Sequence, residues 1–350
     1  MDSLNKRRIV YIGRLDPASN ALRRMKTLQQ MGHVVTPIDV DPYLYTGLFE
    51  KFHHHVNLGP GILTLNKAVL SQCELLNPDL IWVDNKSFLQ RATLRKLRAN
   101  NPTIRIIQVI TDDLGARPTA WRLTRAHATF FDVHFVQRVV NVNELYACGA
   151  RRVEICHRSY DPAFHRPIVL SEEDKRHFHT PVGFIGTHEA DREAMIAFLI
   201  EQGIPVQVTG NDWPGKKYWS VIQPHYQGPS VYGEEYIKRI NGMDIALHFL
   251  RHGNRDEQDS RTFEIPACGV FMLAERSELH AQLFEADKEA VFFDNRDDLL
   301  QKVMEYSKRP EQRARIAAAG RNRCMTSGYS HEGRLTHILK TVYPDGNITK

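Results

Sequence analysis

The run Asp259-Ser260-Arg261-Thr262-Phe263-Glu264-Ile265-Pro266-Ala267-Cys268-Gly269 gathers groups that handle anions and hydroxyls. Ser260 and Thr262 stand where a short helix opens, able to cap free backbone N–H groups or to donate to an anion. Those N–H groups turn the positive end of the helix dipole towards a phosphate. Arg261 adds a forked donor suited to a diphosphate. Glu264, one turn in, offers a carboxylate that can accept from the paired hydroxyls of a ribose. Gly269 stops the helix, and Val270 to Leu273 reads as a buried strand.

Other chemistry-bearing residues are more scattered. Thr111-Asp112-Asp113 ends a strand, where α/β proteins bind ligands. Either acid can serve as a general base or orient an acceptor hydroxyl, and either can simply cap a helix. His188 follows Gly186-Thr187 and is placed to contact a sugar. Arg251 follows an apolar strand and either helps bind phosphate or sits in solvent; Trp213 borders a ligand or packs at a domain edge. His53-His54-His55 suggests a metal, but adjacent histidines do not face one side and no acid stands at ligand spacing. A polar loop near an acceptor is the better account, and no metal site is expected. Gly13 is the only glycine of a would-be G-x-G-x-x-G fingerprint, which disfavours a nicotinamide dehydrogenase.

These residues must be carried by alternating strands and helices. Ile9 to Ile12 is a strand ending at Gly13; Asp16-Pro17 opens a helix whose face is Leu22, Met25, Leu28 and Met31, and Gly32 stops it before a strand at 34–40. Strands at 80–83, 104–110 and 133–136 alternate with helical stretches near 64–76, 87–100 and 117–130. After a charged, proline-bearing stretch, Pro181 to Gly186 restarts the pattern. A helix over 191–202, strands at 206–210, 245–250, 270–273 and 290–293, and helices over 296–307, 310–327 and 329–342 follow. The fold class is α/β: two Rossmann-like domains with parallel sheets facing a central cleft. The expected boundaries are 1–165 for the first Rossmann-like domain, 166–180 for a linker and 181–328 for the second, with 329–350 crossing back to the first.

Composition agrees with an ordinary enzyme of two cores: 350 residues, 42% hydrophobic and 25% charged. The balance of 46 Lys+Arg against 41 Asp+Glu, without a basic run longer than Lys6-Arg7-Arg8, argues against nucleic acid as a partner. Five cysteines without C-x-x-C spacing indicate neither disulfides nor zinc. No apolar stretch is long enough for a membrane span or a signal core, so a cytoplasmic location is expected.

The run from Ser260 to Gly269 resembles the donor-site signature of GT-B glycosyltransferases, and most closely the CgeB-like (spore maturation protein type) family, related to glycosyltransferase family 4. Val182 to Thr187, Gly210-Asn211-Asp212-Trp213, Tyr232 to Glu235, Ala246 to Phe249 and the helices from Leu299 to Gly320 fall in the order of that family. The likeness covers about residues 150–340; eight positions before Glu264, where family 4 commonly has a second glutamate, stands Asp256.

The resemblance implies metal-independent transfer from a nucleotide-diphosphate-sugar to an acceptor (glycan, protein, lipid or small molecule), with no other cofactor. It implies that Gly186 and Thr187 lie near the diphosphate or sugar, and that Gly210, Asn211 and Trp213 border the base. Ser260, Arg261 and Thr262 would then grip the diphosphate and Glu264 the ribose. The alternatives are a nucleotide-sugar epimerase on the same scaffold and a non-catalytic binding or assembly protein.

Overall fold

The computed structural model describes residues 6–17, 19–44, 50–55, 57–116 and 118–344, apart from the side chains of Lys51, His54 and His55. The chain divides into two compact units: Met1–His157 with Gly253–Arg255 and His331–Lys350, and Arg158–His252 with Asp256–Ser330.

The first unit is built on a parallel sheet of β1 (Arg8–Gly13), β2 (Val34–Asp39), β3 (Leu80–Asp84), β4 (Arg105–Ile110), β5 (Val133–Val136) and β6 (Val153–Ile155), in the order β2-β1-β3-β4-β5-β6. All of β3 is buried, as a strand covered on both faces must be. Alternate residues separate two cores. Val10, Ile12, Ile81 and Val83 pack with Ile62, Leu65 and Val69 of the helix Pro60–Leu76 and with Leu94 and Leu97 of Arg91–Asn100. Ile9, Tyr11, Leu80 and Trp82 face the other way, onto Met25 and Leu28 of Asn20–Gln30 and onto Leu335, Ile338 and Leu339 of the last helix, His331–Val342. That helix is fastened by the Tyr343 hydroxyl, which donates to Asp79 O at 2.9 Å.

The second unit repeats the plan with β7 (Thr180–Ile185), β8 (Val206–Thr209), β9 (Met243–His248), β10 (Met272–Glu275) and β11 (Val291–Phe293), all parallel, in the order β11-β10-β9-β7-β8. Val182, Phe184, Ile245, Leu247 and Leu273 form one core with Ile196, Leu199, Leu299 and Val303 of the flanking helices. Ala246, Met272, Ala274 and Phe292 form the other with Phe263, Ile265 and Cys324. The order in which successive strands are added reverses between β7 and β9, the position where open α/β sheets present ligand-binding loops.

Several elements differ from the sequence reading. The first helix starts at Asn20, not at Pro17: Asp16 O accepts from Ser19 N in a turn, and Ser19 Oγ caps Leu22 N at 3.1 Å. The expected helix at 117–130 is a 3-10 turn at Pro118–Trp121, a short helix at Arg122–Ala126 and another 3-10 turn at Ala128–Phe130. Residues 166–180 include a helix, Glu172–Phe178, capped by Ser171 Oγ on Asp174 N at 3.0 Å. Among the described residues no helix is long and apolar enough to cross a membrane.

Candidate functional site

In the second unit the loops after β7 and β8 are locked together. Gly186 N donates to Thr209 O at 2.9 Å, and His188 N donates to Asn211 O at 2.9 Å. The indole N–H of Trp213 donates to Gly186 O at 2.9 Å, the Tyr226 hydroxyl to Gly210 O at 2.8 Å, and Ser230 N to Asn211 Oδ1 at 2.9 Å. Gly210 has φ +153° and packs so tightly that an added Cβ would lie 1.9 Å from Gly186 O. Gly210→Ala is therefore expected to lose about 1–3 kcal/mol from backbone conformation alone, with the clash in addition. A thermal midpoint equal to that of the unsubstituted protein would show that the two loops are not so tightly joined.

Trp213 is wholly buried and cannot offer a face to a base; it braces the Gly186 turn from beneath. Thr187 is exposed beside it. Arg192 joins this turn to the end of β9, its Nη1 donating to Thr187 O at 3.0 Å and its Nη2 to Leu250 O at 3.1 Å. Arg251 is exposed and pairs with Glu189 at 2.6 Å.

The helix Arg261–Ala267 carries the run singled out above. Its Thr262 hydroxyl is 2.9 Å from both His248 Nε2 and His280 Nε2, and accepts from Asp259 N at 3.1 Å. A carbonyl only accepts, so His280 Nδ1, 2.8 Å from Glu275 O, carries a hydrogen. The neutral ring's Nε2 then accepts from Thr262, and His248 Nε2–H donates to it. Burial lowers His248 to about 3, which keeps it uncharged. Thr262 is thus an interior joint whose hydroxyl has no capacity left for a diphosphate.

Arg261 is different. Its side chain is 31% exposed, its Nε is buried without a partner, and its Nη1 lies 3.9 Å from Asp259 Oδ2. Burial works against the charge of Asp259, while the guanidinium groups of Arg261 and Arg158 and the Arg261 backbone N–H hold its pKa below the ordinary carboxylate range. Ser260 supplies the carbonyl that Phe263 N and Glu264 N share, at 3.1 and 3.0 Å.

Glu264 is buried between two neighbours. The Tyr236 hydroxyl donates to Oε2, and His165 Nε2 faces Oε1 at 3.4 Å. Asp161 N donates to His165 Nδ1 at 3.0 Å, which puts the ring hydrogen on Nε2, towards Glu264. Burial, then the charge of Glu264, raises Tyr236 well above its ordinary value, so it stays a donor. Tyr236, His165, Arg192 and His248 were not singled out from the sequence. Apart from Thr187, five positions from Arg192, and Asp161, four from His165, their partners named above lie 14–99 positions away and leave no local pattern.

In the first unit the two acids part company. Asp113 is sealed: Oδ1 accepts from Gly115 N at 3.0 Å and Asn141 Nδ2 at 2.9 Å, and Arg255 Nε reaches Oδ2 at 2.8 Å. Burial opposes its charge, but bonds from Arg255, Asn141 and Gly115 bring it to about 2, which unsuits it as a general base. A depressed carboxylate stabilises the fold above its unfolded value near 3.8, and that contribution disappears as the pH falls through 2. Asp113→Asn should therefore be less stable than the parent at pH 6 and approach it near pH 2. Denaturant midpoints measured across that range would contradict this if the gap stayed constant. Asp112 is exposed, its Oδ2 held by Asn85 Nδ2 at 2.8 Å.

Of the histidine triple, His53 lies in the helix Glu50–His55. Its Nδ1 meets Leu44 O at 3.1 Å and its Nε2 accepts from Gly61 N at 3.2 Å. Both nitrogens are used; the side chains of His54 and His55 lie outside the described residues.

Two parallel α/β units, with the loops of the second gathered at the carboxyl ends of β7, β8 and β9, make the fold that of the GT-B glycosyltransferases. Residues 187–340 match the model of a family described as glycosyl transferase-like. A glycosyltransferase from Rickettsia africae superposes with a TM-score of 0.66 at 12% identity, covering 97% of this chain and 100% of that one. Sucrose-phosphate synthase from Thermosynechococcus elongatus gives 0.68 at 11%, with 97% and 100% covered. HepE of Anabaena, solved in complex with UDP-glucose, gives 0.63 at 12%, again with 97% and 100% covered. No curated protein matches the sequence.

Proposed function

We propose that this chain is a glycosyltransferase of CgeB-like type, taking a hexose from a nucleoside-diphosphate-sugar held by the second unit and passing it to an acceptor held by the first. The observation that carries the proposal is Glu264, a buried carboxylate held by Tyr236 and His165 one turn from Arg261, whose buried Nε lacks a partner. A carboxylate fixed from both sides still has lone pairs for two ribose hydroxyls, and a guanidinium with spare donors suits the diphosphate.

Gly186 and Thr187 then approach the sugar or diphosphate, and Gly210 and Asn211 border the base. Trp213 supports them from below, and Arg251 is within the same group of loops. As the bond between the anomeric carbon and the diphosphate oxygen breaks, negative charge grows on the leaving group. Arg261 is the group proposed to stabilise it, without a bound metal. In the first unit Asp112, rather than Asp113, is the acid proposed to orient or deprotonate the acceptor hydroxyl.

The test is thermal shift against UDP-, GDP-, TDP-, ADP- and CMP-sugars, starting with UDP-glucose, with and without magnesium. Stabilisation by one nucleotide class, independent of magnesium, is the expected result. No shift with any of them would favour a binding or assembly protein.

A further inference from the structure

The Gly186-Thr187-His188 turn contains a pairing that the roles above do not use. Glu193, on the helix Ala190–Glu201, is 2% exposed. Its oxygens go to His188 Nε2 at 3.0 Å and to the Tyr218 backbone N–H at 2.8 Å, and among the described residues no Lys or Arg reaches it. An ionised carboxylate only accepts, so His188 Nε2 carries a hydrogen and the neutral ring's lone pair falls on Nδ1. The ring is also fixed edge-on to Trp213, with centroids 5.3 Å apart at 87°. Its side chain is 13% exposed; Nδ1 makes no hydrogen bond among the described residues and reaches solvent.

Resting on the donor-site reading, we propose that Glu193 is a positioning residue that holds His188 in its Nε2–H form, so that Nδ1 accepts a hydrogen bond from a hydroxyl of the transferred sugar. His188 then contributes to the choice of sugar, since a site built to accept from a hydroxyl discriminates against analogues lacking it.

Glu193→Gln tests this with little change of shape. Tyr218 N–H needs an oxygen, so the amide oxygen stays there and the NH2 group faces His188 Nε2. That nitrogen must become an acceptor, the ring hydrogen moves to Nδ1, and a donor replaces the lone pair offered to the sugar. Affinity for UDP-glucose, or for whichever nucleotide-sugar the panel selects, should fall 10- to 100-fold, while affinity for the matching free nucleoside diphosphate changes less than twofold. Equal losses for both ligands, or no loss for either, overturn the proposal.

A second measurement needs no ligand and no change at Glu193. Ring nitrogen shifts of the full-length protein, with His188 assigned through His188→Gln, should show the Nε2–H form; the Nδ1–H form overturns the proposal. If no nucleotide-sugar binds the wild type, the donor-site reading fails and takes the sugar contact with it, whereas a wrong tautomer alone leaves that reading standing.

Discussion

Replacing Glu264 with glutamine should weaken binding of the nucleotide-sugar about 10- to 100-fold. The estimate follows from losing a hydrogen bond to a charged group, worth about 1.5–3 kcal/mol. Glutamine keeps the shape, its oxygen on the side of His165 and its NH2 donating to the Tyr236 oxygen, although the Tyr236 O–H then loses its acceptor. One acceptor then remains where there were two. Titration calorimetry should show that wild type prefers the ribonucleotide over its 2′-deoxy form and that the variant loses most of that preference. Unchanged affinity for every nucleotide-sugar that stabilises wild type would remove Glu264 from the ribose. Alanine is the poorer test. It strands the buried hydroxyl of Tyr236, and about 1–3 kcal/mol of stability goes with that unsatisfied group.

Asp84→Ala should destabilise the first unit by about 3–5 kcal/mol, the usual cost of removing one partner from a buried ion pair. Asp84 ends β3 and accepts from Arg24 Nε at 2.9 Å and Nη2 at 2.7 Å, as well as from the Tyr11 hydroxyl. Side-chain exposure is 3% for Asp84 and 12% for Arg24, and Tyr11 is fully buried. Removing the carboxylate leaves a guanidinium and a phenol without a partner in the interior. The double change Arg24→Met with Asp84→Leu should recover most of the loss, because neither charge is then left behind. With two units in the chain, one melting temperature mixes both. Hydrogen exchange at amides of β1 and β3 isolates the first unit. Protection in Asp84→Ala equal to wild type would contradict the expectation.

The sequence by itself determined the fold class. Continuous apolar strands, helices with a three-to-four residue period and glycines at strand ends are local signals, and strands such as 133–136 were legible to the residue. It also singled out the run from Ser260 to Gly269 as a candidate, because residue types within ten positions limit what one helix turn can present. Not every short or interrupted element was legible. The three residues of β11 are all apolar and were read as a strand, whereas β6, also three residues, has Glu154 at its centre and only Val153 buried, and the broken segment at 118–130 is shaped by tertiary packing around Trp121 and Phe131.

Only the tertiary structure decided what each polar side chain is free to do. Thr262 and Arg261 are neighbours of similar promise in sequence, yet one hydroxyl is consumed by His248 and His280 while the other residue keeps a buried, unpartnered Nε. Asp112 and Asp113 are adjacent acids, one exposed and one enclosed by Arg255, which lies 142 positions away. A strand end turns successive side chains in opposite directions, and hydrogen-bond capacity is limited and already claimed by distant partners. Sequence spacing carries the residue types, but the partners that use up that capacity become visible only when the chain is folded.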